Sequence, residues 1–187
     1  MASLALDPAY RRVTVREFLN MDLGDAKAEL VDGMILMMAG GSARHAAIAA
    51  NLTIALGNRL RGTRCRPYGS DLAVRTGEAS IRFPDVSVYC RDDRPADSPD
   101  DRLLGDPRVV FEVLSPSTAS NDQITKLAEY RALPGVQAVV FVDPENERLR
   151  LVEPGERSDA GWLPPGSDLA LPMLDIGLPH SEIFADL

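Results

Sequence analysis

One glutamate sits where a carboxylate is hardest to keep. Val109-Val110-Phe111-Glu112-Val113-Leu114 is apolar on both alternating faces except at Glu112. A strand of that pattern belongs in the middle of a covered sheet. An ionised carboxylate there costs several kcal/mol unless a metal, a cation or hydrogen bonds compensate it. Pro84-Asp85 opens a second strand, Val86-Ser87-Val88-Tyr89, and can bring another carboxylate to a neighbouring strand end. Two carboxylates plus a main-chain carbonyl, here that of Val113, suit a hard cation such as Mg²⁺, which prefers oxygen ligands and keeps several waters. Against this stand two structural readings, an arginine paired with Glu112 and a turn fixed by Asp85.

Lys126 is a third catalytic candidate, and Asp122, Tyr130, His45 and Glu29 are candidate accessories. Lys126 follows the Glu112 strand in the series Asp122, Lys126, Tyr130, spaced four apart along one helical stripe. An ammonium so placed can orient water or offset charge developing on a phosphate. Taken alone, Asp122 and Lys126 form an ordinary helix-surface ion pair and Tyr130 an amphipathic cover. His45 falls in the first turn of a long helix, where free N–H groups favour anions, so it is either a phosphate contact or incidental. Glu29 is a third acidic group for the site or a strand-end charge.

The elements that would position these groups follow from pattern. Thr14 and Glu17 form a capping box for a short helix. Two apolar segments around Asp32-Gly33, residues 28–36, read as a β-hairpin. Ser42 caps a long amphipathic helix carrying Ile48, Leu52, Ala55, Leu56 and Leu60, ending near Gly62. Residues 65–74 and 80–91 read as strands, the second disrupted near its start by Pro84. A Pro- and Asp-rich loop covers 92–107. Ser120 and Gln123 suggest a capping box for a helix to about Leu133, and residues 137–142 read as a second buried strand. Strand, helix, strand in this order is the parallel crossover unit. A strand at 148–153, a loop around 162–166 and a short helix at 181–187 complete the chain.

Composition narrows the class. With 187 residues, 45% hydrophobic and 26% charged, the expectation is one globular domain over 1–187, with its core about 28–144 and a C-terminal extension at 145–187. The first twenty residues lack the hydrophobic core of a signal peptide. No apolar run approaches the roughly 20 residues that span a bilayer, so a cytoplasmic location without membrane contact is expected. Cys65 and Cys90, in no CxxC or Cys/His cluster, are expected to be free thiols in a reducing compartment. The formal charge of −8 argues at first against a nucleic-acid partner. The distribution changes that, because residues 33–70 contain no Asp or Glu and carry Arg44, Arg59, Arg61, Arg64 and Arg66. These arginines are candidate phosphate contacts or ordinary solvated charges. No Gly-rich phosphate loop, nucleophile elbow or Cys/His pair is present, which leaves nucleotide triphosphatase, serine hydrolase and thiol-enzyme readings unsupported.

Taken in order, Glu29-Leu30-Val31-Asp32-Gly33, His45, Pro84-Asp85-Val86, Phe111 to Thr118, Asp122, Lys126, Tyr130 and Val142-Asp143-Pro144 resemble the PD-(D/E)XK nuclease superfamily, in particular its Uma family of restriction-endonuclease-like proteins. The resemblance covers nearly the whole chain. It implies an α/β fold with a restriction-endonuclease-like mixed central sheet flanked by helices, an N-terminal β-hairpin and a C-terminal β extension. It also implies a Mg²⁺-dependent endodeoxyribonuclease, with Mn²⁺ as substitute, in which Asp85 and Glu112 bind metal, Lys126 assists the attacking water, and two copies pair. Two departures stand out. Leu114 occupies the position of the motif lysine, for which Lys126 is the replacement, and Gln137-Ala138-Val139 replaces an acidic residue followed by aromatics. The competing expectations are a catalytically silent binding module on the same fold and a hydrolase of small phosphodiesters.

Overall fold

The computed structural model describes residues 11–38, 40–90, 103–115, 121–155 and 161–187, with the side chains of Asn121 and Asp122 excluded. The expected capping box at Ser120, the side chain of Asp122 and most of the 92–107 loop lie outside the described residues.

The chain opens on helix α1 (Val15–Leu19), capped by Thr14, whose hydroxyl accepts from the Glu17 N–H while the Glu17 carboxylate accepts from the Thr14 N–H. Strands β1 (Ala28–Val31) and β2 (Met34–Met37) form the anticipated hairpin. Asp32 and Gly33 take φ of +48° and +78° at its turn, the conformation that an Asp-Gly pair tolerates best. Helix α2 (Ala43–Arg59) follows, with the Ser42 hydroxyl accepting from the His45 N–H. It buries Ile48, Leu52, Ala55 and Leu56.

Where a single strand was expected over 65–74, the structure has β3 (Cys65–Gly69) and β4 (Val74–Gly77) in different sheets, separated by a turn closed by Leu72 N–H to the Gly69 carbonyl. The segment 80–91 also divides, into β5 (Ser80–Arg82) and β6 (Val86–Cys90). Pro84 has no N–H for a ladder, and the Phe83 N–H is taken by Glu29, so the chain leaves one sheet and enters the other there.

β7 (Val109–Val113), α3 (Asn121–Arg131) and β8 (Ala138–Asp143) form the crossover unit, with β7 and β8 parallel. β9 (Arg148–Val152) pairs antiparallel to β8. The C-terminal region adds a small hairpin of β10 (Leu169–Leu171) and β11 (Ile176–Leu178), too short to stand out in the sequence, around a 3₁₀ turn at Pro172–Leu174. Helix α4 (His180–Ile183) then ends before the expected limit at 187.

The central sheet runs β3-β6-β7-β8-β9 and a second sheet runs β2-β1-β5-β4. Alternation along β7 divides the core. Val109, Phe111 and Val113 pack toward α2 and the C-terminal elements, whereas Val110 packs with Leu127 and Tyr130 of α3. Glu112 shares the Val110 face and so points at α3. This is an α/β fold with a mixed central sheet between helices, as expected.

The expectation for the cysteines also fails. Cys65 and Cys90 are joined in a disulfide, not free thiols. They are register partners across β3 and β6, with Cα atoms 3.9 Å apart, a proximity that a separation of 25 residues does not reveal in the sequence. Among the described residues no helix is long and apolar enough to cross a membrane.

Candidate active site

Register brings the two carboxylates together. Val86 of β6 pairs with Phe111 of the antiparallel β7, so Asp85, one step before, falls opposite Glu112, one step beyond. Asp85 lies just outside the ladder, and its charge is one of the influences that raise the Glu112 pKa. The Asp85 carboxylate accepts the Val113 N–H at 2.7 Å and lies 3.3 Å from His45 Nε2. His45 also has a main-chain hydrogen bond at Val113, and its pKa is raised, first by the hydrogen bond to Asp85. The histidine read from sequence as a phosphate contact or an incidental residue thus stands against a carboxylate.

Glu112 is 6% exposed. It accepts the Tyr130 hydroxyl at 2.7 Å and lies 3.3 Å from Lys126 Nζ. Burial pushes its pKa up to about 7, opposed by Lys126 and reinforced by the nearby Asp85. Tyr130 and Lys126 reach it from α3 because residues four apart share a helix face. Burial, then the Glu112 charge, holds the Tyr130 pKa above its ordinary range, so the phenol stays a donor. Leu114 shares a strand face with Glu112 but packs beside the α3 cluster. Lys126, expected from the resemblance to stand in for a lysine at Leu114, has its Nζ 3.3 Å from Glu112.

Glu29, read from sequence as accessory or strand-end charge, is buried in the same group. Its carboxylate accepts from Arg82 at 2.8 Å and from the Phe83 N–H at 3.3 Å, and stands 3.3 Å from Lys126. Sequence reasoning missed Arg82, Glu129 and Thr76. Arg82, 1% exposed, donates through Nε at 2.8 Å and Nη2 at 2.7 Å to Glu129, which also accepts the Thr76 hydroxyl at 2.7 Å. Burial opposes charge on both Glu129 and Arg82, but their mutual hydrogen bonds, those of Glu129 with Thr76 and of Arg82 with Glu29, and the attraction of the opposite charges together outweigh it, lowering the Glu129 pKa and raising that of Arg82. The available sequence signal was an arginine in a run of otherwise core-forming residues, Ser80-Ile81-Arg82-Phe83. The arginine considered as a partner for Glu112 therefore exists, but it holds Glu29 and Glu129.

The basic stretch is not brought to the carboxylates. Arg44 donates to the Pro144 carbonyl and pairs with Glu147 at 2.6 Å. Arg59 makes two 2.7 Å contacts with Glu182. Arg59 and Arg61 lie at the C-terminal end of α2, whose 17 residues span about 25 Å from the His45 end, and Arg66 lies on β3 opposite Tyr89.

The cluster gathers four carboxylates, Asp85, Glu112, Glu29 and Glu129, around Arg82 and Lys126, with His45 against Asp85. Among the described residues no three His, Cys, Asp or Glu side chains close into a metal cage. The donor set on offer is the Asp85 and Glu112 carboxylates and the Val113 carbonyl, all hard oxygens. It fits a divalent ion that keeps much of its water, such as Mg²⁺, and does not fit a tetrahedral N/S ion.

Residues 15–179 match the model of the Uma2 family, described as "Putative restriction endonuclease". The chain belongs to the Uma2 family. This Uma2 chain is 33% identical over 138 residues to an uncharacterized protein of Synechocystis sp., covering 73% of this chain and 70% of that protein. A second uncharacterized protein from the same organism is 29% identical over 133 residues, covering 70% and 75%. A crystal structure from Anabaena variabilis, described as a "putative nuclease belonging to DUF820", superposes on the Uma2 chain with a TM-score of 0.79. It covers 92% of this chain and 98% of its own at 18% identity, a likeness of fold.

Proposed function

We propose that this Uma2 chain is a metal-dependent endonuclease that hydrolyses phosphodiester bonds in DNA, with residues 1–187 acting as one domain. The observation that carries the reading is the convergence of Asp85 and Glu112 on adjacent strands with Lys126 Nζ 3.3 Å from Glu112.

Asp85, Glu112 and the Val113 carbonyl would hold Mg²⁺, or Mn²⁺ in its place. A bound divalent ion supplies Lewis acidity and offsets charge on the scissile phosphate. The remaining steps belong to side chains. Lys126 presents its ammonium beside Glu112, where it orients the attacking water and stabilises negative charge as the phosphorus centre adds it. Tyr130 holds one Glu112 oxygen, and His45 with the Val113 N–H fixes the Asp85 carboxylate, so both acids keep their direction without paying for reorganisation at the moment of attack. Two copies would cut the two strands of a duplex, and the reading includes a homodimer working in the cytoplasm.

Purified protein incubated with supercoiled plasmid and Mg²⁺ should nick or linearise it. Asp85→Ala and Lys126→Ala should each lower the rate by about 10²–10⁴. Variants that cut as fast as the parent would overturn the assignment. Calorimetric titration with Mn²⁺ gives an independent check: binding should be present in the parent and lost in Asp85→Ala.

A further inference from the structure

Lys126 lies between two acids. Its Nζ is 3.3 Å from Glu112 and 3.3 Å from Glu29, and a buried ammonium with two carboxylates in reach is drawn most to the one whose charge is least satisfied. Only Glu112 belongs to the proposed metal site. Arg82 sits on the far side of Glu29, donating to it at 2.8 Å while two further donors go to Glu129. Thr76 closes the chain of contacts on Glu129. Arg82 comes from β5 of the smaller sheet, Glu29 from β1, and Glu129 from α3, one helical turn after Lys126. The guanidinium therefore fastens α3 to the small sheet at the point where Lys126 has to be aimed.

We infer that Arg82 is a positioning residue, one that satisfies the Glu29 carboxylate from behind and so keeps the Lys126 ammonium on Glu112. The inference rests on the nuclease reading for its functional consequence, although not for the geometry. Without the guanidinium, Glu29 would be buried with Lys126 as its principal cation, and the ammonium would move toward it and away from Glu112. Lysine at this position cannot replace the arginine, because one point charge does not span two carboxylates.

The test is a set of variants read three ways. In Arg82→Gln, plasmid cleavage should fall about a hundredfold, and calorimetric Mn²⁺ affinity should hold or tighten because Asp85 and Glu112 are untouched and a nearby positive charge is gone. Adding Glu29→Gln should restore cleavage at least about tenfold, since the competing carboxylate is then neutral. A crystal structure of Arg82→Gln should show Lys126 Nζ bonded to Glu29 and withdrawn from Glu112. If Arg82→Gln does not fold, Arg82→Lys carries the same cleavage, rescue and structural measurements, with Mn²⁺ affinity expected to hold because the charge is kept. Loss of Mn²⁺ binding in step with cleavage, absence of rescue by Glu29→Gln, or an unmoved Lys126 overturns the inference. A parent protein that never cleaves DNA while Lys126 shifts as described overturns the nuclease reading and supports the positioning role.

Discussion

Glu112 ties the chemistry of this molecule to its pH response. In the metal-free protein its carboxyl sits at about 7 against an ordinary 4.5, so between those values the folded state binds more protons than the unfolded chain. Stability must then fall as pH rises through that window. His45 acts in the same direction. Its raised pKa contributes stability that is complete below the ordinary histidine value and lost above the folded one. Melting temperatures of the chelator-treated protein should therefore decline from about pH 5 to about pH 8, and Glu112→Gln should flatten the decline. A rise over that range would refute the assignment of these shifts. If Glu112 is a ligand as proposed, Mn²⁺ should bind more tightly as pH increases, because its carboxyl must first release its proton. Tyr130 supplies a separate measurement. Tyr130→Phe removes the 2.7 Å hydrogen bond to Glu112 and leaves a buried acid short of a donor, an expected loss of about 1–3 kcal/mol in chemical denaturation.

At the scale of elements, the hairpin and the long helix position the site from opposite sides. The β1–β2 turn needs Gly33 for two reasons: its φ is +78°, and an added Cβ would stand 3.1 Å from the Arg12 Cβ and 3.2 Å from the Val13 carbonyl. Gly33→Ala should cost about 1–3 kcal/mol by urea denaturation. Because β1 carries Glu29, the same variant should weaken activity beyond its effect on stability. Helix α2 delivers His45 to Asp85 only while its apolar stripe stays seated on the central sheet. Leu52 is fully buried there, and Leu52→Ala should cost about 2–5 kcal/mol. The same alternation that seats α2 against Phe111 and Val113 turns Glu112 to the opposite face, beneath α3. A one-residue slip of β7 would carry Glu112 away from Lys126 and Tyr130.

For the molecule as a whole, the Cys65–Cys90 bond joins β3, at the margin of the central sheet, to β6, which begins one residue after Asp85. Thiol titration of the protein unfolded without reductant should find no free sulfhydryl, and two after reduction. Closing a loop of this length stabilises a fold by about 3 kcal/mol in the chain-entropy account, so reduction should lower the melting temperature. The formal charge of −8 is not spread evenly. Arg59, at the C-terminal end of α2, lies a helix length from His45 and is already committed to Glu182.

Local patterns were enough to read the capping box at Thr14, the Asp32-Gly33 hairpin, the seat of α2 and the β7–α3–β8 crossover, because each is decided by residues within a few positions of one another. The same locality flagged Glu112, since a lone acid in an apolar strand is anomalous without any knowledge of its neighbours. Only the tertiary structure decided what surrounds it. Asp85 faces Glu112 through strand register, and Cys65 meets Cys90 the same way, across separations that spacing does not encode. Glu129 was overlooked because it looks like an ordinary helix-surface charge, and Arg82 because its apolar run is only a few residues long. Their importance arises where two sheets and a helix meet, and a buried ion pair is defined by the partners that fold around it rather than by its own residue type.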